Sequence, residues 1–358
     1  MPSLIYANAN SLFDYSNGAS RSLLLLLETW AASGVKVYAI TSCVSDSQEG
    51  FDFSLKYWKS IKNESHSRHP AIKRFHLNHI HHTLISNSSY LRHRLESSYV
   101  ELIYRETEQY LARQRNSKEK MGFLSWGNLL LEESLFKQAK AYGCRTMFYL
   151  ANPSYLGKFP ATLQIADYIL TDSNATKGLY GSEVKGPIKV MPKIVGPNSS
   201  KASIEERWRK QNIYFVNPSL NKGLQYAVEL AFRCLSLNFK YKFIFVDAAG
   251  KLNTDLSKLE MPNEKLPNNI EVKNGTPSVD DLLIDASIIL LPSIWHESGS
   301  RLILEGHKRG IPVLAFATGG TSEFMAHAIE DLFQKPESNS HWDSSSLVIR
   351  IEKLLTDF

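Results

Sequence analysis

Residues 291–324 read LPSIWHESGSRLILEGHKRGIPVLAFATGGTSEF. The run leading into this stretch, residues 286–291, is apolar but for Ser287, as expected of a strand buried on both faces of a sheet. Glu297 follows at the predicted strand end. Glu305 comes eight residues later, past the first turn of a helix predicted over residues 301–309 and stopped by Gly310. Between the carboxylates, Ser298, Gly299 and Ser300 are small, so backbone N–H groups can approach an anionic or polyhydroxyl ligand closely. Residues 311–316 predict the next strand, and Gly319-Gly320 forms a second close-approach loop after it. The spacing lets the two carboxylates touch different parts of one extended ligand. Strand, loop, helix and strand in this order make the βαβ unit of a parallel sheet.

The same rhythm extends outward. Upstream, strands are predicted at residues 213–216, 243–246 and 270–273, helices at 222–236 and 278–285, and a polar loop or short helix at 253–268. Residues 195–200, Val-Gly-Pro-Asn-Ser-Ser, have linker composition. Before them, strands at residues 3–7, 35–41, 122–126, 146–150, 168–171 and 188–190 surround helices at 21–33 and 129–141. Residues 51–115 are the least regular part and read as mostly helical and basic. A chain of 358 residues exceeds one typical core. The reading is α/β, with two Rossmann-like doubly wound domains, residues 1–195 and 196–358, facing across a cleft at their strand C-termini.

Composition narrows the class. Hydrophobic residues make up 43% and charged residues 22%, which excludes long disorder. No apolar run reaches the roughly 18–20 residues of a spanning helix. The start, Met1-Pro2-Ser3-Leu4-Ile5-Tyr6, lacks the basic and apolar regions of a signal peptide. Cys43, Cys144 and Cys234 are far apart and odd in number, so free thiols in a reducing, cytoplasmic compartment are expected. Between Lys56 and Lys120 there are 13 Lys/Arg against 6 acids, a local +7 in a chain of net +5, and seven of the 11 histidines. This stretch is either a solvated helical face or a surface for anionic lipid, nucleic acid or an acidic substrate, peripheral contact with the inner membrane surface included. His76, His79, His81 and His82, in the run HLNHIHH, have spacing that suits a metal. No Cys or carboxylate accompanies them, so a helix face or acceptor surface is expected, with no metal site. No Asp-x-Asp motif occurs, which disfavours metal-dependent sugar transfer, and no nucleic-acid module is recognisable.

The stretch from Leu291 to Phe324 resembles the donor-site signature of family 4 retaining glycosyltransferases of the GT-B fold. The matching residues are Glu297, Glu305, Gly310-Ile311-Pro312-Val313 and Gly319-Gly320-Thr321-Ser322-Glu323. The resemblance extends over nearly the whole chain. Asn17-Gly18-Ala19 is similar to the family's glycine loop under the donor phosphates and acceptor. Residues 166–180, ADYILTDSNATKGLY, resemble a strand–Ser–helix segment late in the first domain. Residues 216–223, VNPSLNKG, resemble the diphosphate-binding turn, with Lys222 at the family's Lys and Asn217 at the position usually held by Arg. Arg301 is expected to compensate. The family's His after the strand at 146–150 is absent; Asn152 stands in Leu150-Ala151-Asn152-Pro153 and cannot act as a general acid or base. The family's tail crossing back to the first domain is short or missing before Phe358.

The resemblance implies a metal-independent hexosyltransferase. It would move a sugar from a nucleoside diphosphate sugar to a hydroxyl acceptor with retention of configuration. The donor is a co-substrate, and no cofactor is expected. In the C-terminal domain, Lys222 and Arg301 would stabilise charge on the leaving diphosphate. Ser298, Gly299, Ser300, Gly319, Gly320, Asn217 and Gly18 would hold the donor. Glu297 would contact sugar hydroxyls and Glu305 the ribose. The N-terminal domain would take a glycan, lipid-linked or small-molecule acceptor through Asn17, Asn152 and Trp126. At the strand ends, Trp126 and Trp295 suit packing and sugar stacking equally. Glu305→Ala is expected to weaken donor binding with little loss of fold. A degenerate GT-B scaffold, or a GT-B epimerase or phosphorylase, remains the alternative.

Overall fold

The computed structural model describes residues 2–63, 69–115, 120–181, 183–199, 202–259, 265–337 and 342–356. It divides into two compact units, Met1–Ile194 and Val195–Phe358.

The first unit opens with β1 (Ser3–Ala7), whose five residues are all buried. Asn17 then caps α1 (Gly18–Ala32), its Oδ1 accepting from the N–H groups of Ala19 and Ser20. The leucine run places Leu23, Leu24, Leu26 and Leu27 on the buried face of that helix. β2 (Lys36–Ser42), α2 (Gln48–Ser60), β3 (Ile72–Leu77), β4 (Ile80–Ile85) and α3 (Ser97–Arg115) follow. Next come β5 (Met121–Ser125), α4 (Leu130–Ala141), β6 (Arg145–Leu150), α5 (Ala161–Ile165), β7 (Tyr168–Thr171), α6 (Asn174–Tyr180) and β8 (Ile188–Val190). The sheet order is β3-β4-β2-β1-β5-β6-β7-β8, parallel except for the antiparallel edge strand β3. Alternate residues serve opposite layers: Ile5 and Ala7 pack with Tyr38 and Ile40, while Leu4 and Tyr6 pack with Val37 and Ala39.

Residues 51–115 correct the helical expectation. The run HLNHIHH is not a helix face but a β-hairpin, with Leu77 opposite Ile80 and His76 opposite His81. Asn78 and His79 take the turn with φ +48° and +65°. Two left-handed residues in succession suit the twist of a two-residue hairpin, and Asn tolerates that region well. Phe75, Leu77, Ile80 and Leu84 share one face of this hairpin and Ile72 and Ile85 the other, so no unbroken two-residue alternation marks its strands in the sequence. Arg68, Lys118, Glu64 and Glu119 of the basic stretch, Ser200 of the linker and the chain end at Asp357 and Phe358 lie outside the described residues.

In the second unit α7 (Ile204–Trp208), β9 (Asn212–Val216), α8 (Leu224–Ser236), β10 (Lys242–Asp247), α9 (Leu252–Leu256) and β11 (Ile270–Asn274) come first. α10 (Val279–Leu282), β12 (Ile288–Leu291), α11 (Arg301–Lys308), β13 (Val313–Phe316), α12 (Thr321–Phe324), β14 (Leu332–Phe333) and α13 (Ser345–Thr356) complete it. The sheet is parallel, in the order β11-β10-β9-β12-β13-β14. Strand β9 again feeds both layers: Ile213 and Phe215 face one cluster, Tyr214 and Val216 the other. In each unit the strand order reverses beside its first strand, between β1 and β5 and between β9 and β12. This is the doubly wound pattern, whose ligand crevice opens at the C-terminal ends of the two strands flanking the reversal. No helix among the described residues is long and apolar enough to cross a membrane.

Candidate active site

The crevice of the second unit is made by the loops after β9 and β12. The first loop is a tight turn. Lys222 and Leu224 both donate backbone N–H to Ser219 O at 3.0 Å, and Gly223 donates to Leu220 O at 3.0 Å. Gly223 has φ +81° and starts α8. A Cβ there would lie 1.8 Å from Pro292 O, so glycine lets the two loops touch. The loops are also joined by Asn221 O, which accepts from Ile294 N at 3.2 Å and Trp295 N at 3.1 Å.

This contact brings Lys222 against Glu297. The ammonium pairs with Glu297 Oε1, which also accepts from Ser293 Oγ at 2.9 Å. The carboxylate side chain is 13% exposed and the lysine 39%, so the pair sits at the rim of the crevice rather than inside the core. Glu297 O accepts from Gly320 N at 2.7 Å. A Cβ on Gly319 (φ +53°) would come within 2.3 Å of that same carbonyl and 2.9 Å of the His296 ring. Burial holds the His296 imidazole below its ordinary range, with Glu297 opposing that effect. Ser298 is buried, Gly299 packs its backbone on the Phe324 ring, and Ser300 caps α11. Sequence reasoning therefore assembled one constellation here: Lys222, Glu297, Ser298–Ser300 and Gly319-Gly320.

Glu305 has a different setting. It is 2% exposed and lies between two arginines. Arg301 Nη1 donates to Oε1 at 3.0 Å and Arg309 Nη1 to Oε2 at 2.5 Å. Arg309 in turn reaches Asp280 Oδ1 through Nε at 2.9 Å and Nη2 at 2.5 Å. The expectation that Glu305→Ala leaves the fold intact is corrected: removing one member of a buried, paired set strands the rest. Arg309 and Asp280 were missed, although Glu305 and Arg309 stand at the i,i+4 spacing of helix pairs. Asn217 follows β9 in the left-handed region, φ +54°, and its N–H donates to Val246 O at 2.8 Å. Its buried Oδ1 has no hydrogen-bond partner. Asp255, also missed, accepts Leu220 N at 3.2 Å and so fixes the turn before Lys222.

In the first unit, Asn17 and Gly18 follow the β1 loop, Trp126 follows β5 and Asn152 follows β6. The three loops leave the C-terminal ends of neighbouring strands. Both ends of the Asn17 amide are engaged: Oδ1 by the helix cap, Nδ2 by Asp46 Oδ2 at 2.8 Å. Asn152 Oδ1 closes a turn by accepting Ser154 N at 3.0 Å. Trp126 donates Nε1–H to Tyr6 OH at 3.1 Å, and the Arg92 guanidinium lies 5.4 Å from its ring. Arg92 pairs with the buried Glu132 at 2.6 Å. Beside Asn17 lies Asp14, whose oxygens accept from Ser16 and from Asp46 N. Burial pushes the Asp14 carboxyl up to about 6, against its hydrogen bonds.

Residues 201–357 match the model of the family Glycosyl transferases group 1. The group 1 match thus begins before β9 and covers the crevice and both its loops. No curated protein matches the chain in sequence. Among solved structures, Anabaena HepE in complex with UDP-glucose is 14% identical, with a TM-score of 0.64 over 99% of this chain and 90% of that one. A glycosyltransferase from Rickettsia africae is 14% identical, with a TM-score of 0.63 over 99% and 88%. An alpha,alpha-trehalose 6-phosphate synthase from Burkholderia multivorans is 10% identical, with a TM-score of 0.57 over 99% and 89%. At these identities the likeness establishes the fold alone, which is GT-B.

Proposed function

We propose that the chain is a glycosyltransferase that moves a hexosyl group from a nucleoside diphosphate sugar to a hydroxyl acceptor. The observation that carries this reading is the meeting of Lys222 and Glu297 at the mouth of the second unit's crevice, within the residues that match group 1 glycosyl transferases. In the reaction, the bond between the anomeric carbon and the diphosphate oxygen breaks, the acceptor oxygen takes its place, and the acceptor's proton passes to the departing diphosphate. Negative charge grows on the departing diphosphate. Lys222 supplies a cation there, and Arg301 a second at the first turn of α11. Glu297 accepts hydrogen bonds from sugar hydroxyls once the phosphate has drawn Lys222 away from it. Backbone N–H groups of Ser298–Ser300 and Gly320 complete the cradle. Glu305 meets the ribose from within its arginine clamp.

The first unit supplies the acceptor site through Asn17, Asn152 and Trp126, and Asn217 and Gly18 contribute to holding the donor. Retention of configuration and independence from a metal follow from the resemblance to family 4. The UDP-glucose complex of the HepE neighbour supports a nucleoside diphosphate sugar as donor. The buried thiols Cys43, Cys144 and Cys234 support a reducing, cytoplasmic compartment. A second reading, a scaffold that has lost catalysis, is favoured by two features: Asn217 stands where the resemblance expects a cation, and Asn152 spends its carbonyl on a local turn. A donor screen that follows nucleoside diphosphate release, with and without acceptors, tests both. Release that depends on donor and acceptor together supports transfer. Donor binding without release supports the scaffold, and release or sugar conversion without acceptor points to a different GT-B chemistry.

A further inference from the structure

We infer that Arg92 binds an uncharged sugar in the crevice of the first unit, donating its Nη1 hydrogens to sugar hydroxyl oxygens beside the Trp126 ring. Within the transferase reading, on which this assignment rests, that sugar is the acceptor. Trp126 follows β5, next to the reversal of strand order between β1 and β5. β1 and the loop after it hold it from two sides. Asn8 Nδ2 donates to Trp126 O at 2.6 Å, and the indole Nε1–H donates to Tyr6 OH at 3.1 Å. The ring itself is half-buried. Arg92 belongs to a short 3₁₀ turn, Arg92–Arg94, between β4 and α3. Its guanidinium carbon lies 5.4 Å from the centre of the Trp126 ring, within cation–π range. Gly127 makes room for this placement: its φ is +107°, and a Cβ there would collide with Arg92 Nη2.

The guanidinium is held in place but not used up. Nη2 stands 2.6 Å from Glu132 Oε1, yet out of line with its N–H, so neither Nε nor Nη2 makes a hydrogen bond. Glu132 is itself fixed, with its side chain fully buried and Oε2 accepting from Leu129 N at 3.0 Å. The third nitrogen, Nη1, is not enclosed in this way and donates to no group among the described residues. The Arg92 side chain keeps 21% of its surface exposed, which leaves Nη1 to a ligand. An apolar pair of similar size would join these loops as well, because desolvation offsets most of the attraction between two buried charges. Guanidinium donors left unspent beside such a pair therefore need a reason other than stability. The charges narrow the ligand. Glu132 cancels the charge of Arg92, so an entering anion gains little, whereas a hydroxyl oxygen needs only an N–H donor. The indole adds an apolar surface for the C–H groups of a sugar ring.

Binding measured without turnover tests this. The full chain is titrated, by saturation-transfer NMR, with the methyl glycosides of glucose, galactose, mannose and N-acetylglucosamine, and with glucose 6-phosphate. Calorimetry with UDP-glucose follows the donor separately. The expected result is a methyl glycoside bound by the native chain and insensitive to added salt. Arg92→Lys, which keeps the charge but not the planar fork, binds it about 10-fold or more weakly. Arg92→Met combined with Glu132→Gln removes both charges together, leaves no carboxylate buried alone, and loses the same binding. Thermal melts show each variant folded, and UDP-glucose affinity stays at its native value. Three outcomes overturn the assignment: no methyl glycoside binds, binding survives in both variants, or glucose 6-phosphate alone binds and salt weakens it, which would give Arg92 to an anion. Failure of the native chain to bind UDP-glucose, with glycoside binding intact, counts against the transferase reading instead.

Discussion

Lys222 and Glu297 form an ion pair across 75 residues of sequence, and neither lies in a helix or strand. Two touching loops alone hold them together, so the pair reports directly on the crevice. Lys222→Ala is expected to lower turnover by about 10²–10³-fold, the usual cost of one preorganised charge-stabilising donor. The apparent donor KM should rise far less, because charge on the diphosphate grows as the bond breaks. Steady-state kinetics separates the two, and an unchanged turnover removes Lys222 from the phosphate site.

Glu305→Ala should destabilise the second unit by about 3–5 kcal/mol, since it leaves the Arg309 guanidinium buried beside a hole. Glu305→Gln keeps one carbonyl acceptor and should cost less. Urea denaturation measures both. Donor affinity compared at equal folded fraction then isolates any ribose contact.

Glycines at the site divide into two kinds. At Gly319 a methyl group would meet Glu297 O at 2.3 Å, whereas at Gly18 it would find open space. Gly319→Ala should therefore lower the melting temperature and the activity together. Gly18→Ala should leave melting unchanged, so that any loss of activity it causes reports a ligand close to that backbone. Melting and turnover of the two variants, measured side by side, check this.

Two buried groups give stability opposite pH dependences. Burial drives the His82 imidazole down to about 3, assisted by His76 and His81. The unfolded chain protonates this residue first, so stability is present above the unfolded value of about 6.5 and is lost as pH falls below it. Asp14 is the reverse. Its carboxyl is raised to about 6, so the folded state holds the proton more tightly, and stability falls as pH rises from about 4 to about 6, by about 3 kcal/mol. His82→Phe should flatten the acid limb of a stability–pH curve, and Asp14→Asn the limb between about pH 4 and 6. Denaturation midpoints across that range, referred to the native chain, test each sign.

The basic stretch is less concentrated than its sequence implies. Arg74, Arg92 and Arg105 pair with Glu106, Glu132 and Glu101. Lys56 and Lys59 on α2 and Lys62 just beyond it are exposed. If this face meets anionic lipid, co-sedimentation with anionic vesicles should occur at low salt and fade as salt screens it. Each lysine should contribute about 1 kcal/mol at most, and Lys56→Glu, Lys59→Glu and Lys62→Glu together should abolish binding. Acidification should strengthen it less than seven histidines would, because His82 stays neutral. Failure to sediment at low salt would assign the face to solvent.

Much of this was legible in the sequence, and the exceptions have physical causes. β1, β7 and β8 match the predicted limits because short apolar runs bounded by turn residues leave little choice. The resemblance placed Lys222 and Glu297 in one donor site, but not as an ion pair. The hairpin around Asn78 was not legible, because its pairing depends on β2, more than thirty residues earlier, and its apolar residues are split between the two faces. Asp14 and the Arg309–Asp280 contact were invisible for a related reason. Their character comes from burial and from partners such as Asp46, distant in sequence, which no local spacing reveals.

The strand order of the second unit also dictates how it must be built. β9 comes first in sequence yet lies in the middle of the sheet, between β10 and β12. One edge is covered once residues 242–247 arrive, but the other stays bare until Ile288 pairs with Ile213. A chain emerging from the ribosome thus carries an unpaired, apolar edge at β9 for some seventy residues of synthesis. Chains stopped before Ile288 should aggregate, while those extended past β13 should become soluble, and maturation of this unit should be slow for its size, as parallel pairings of long separation require.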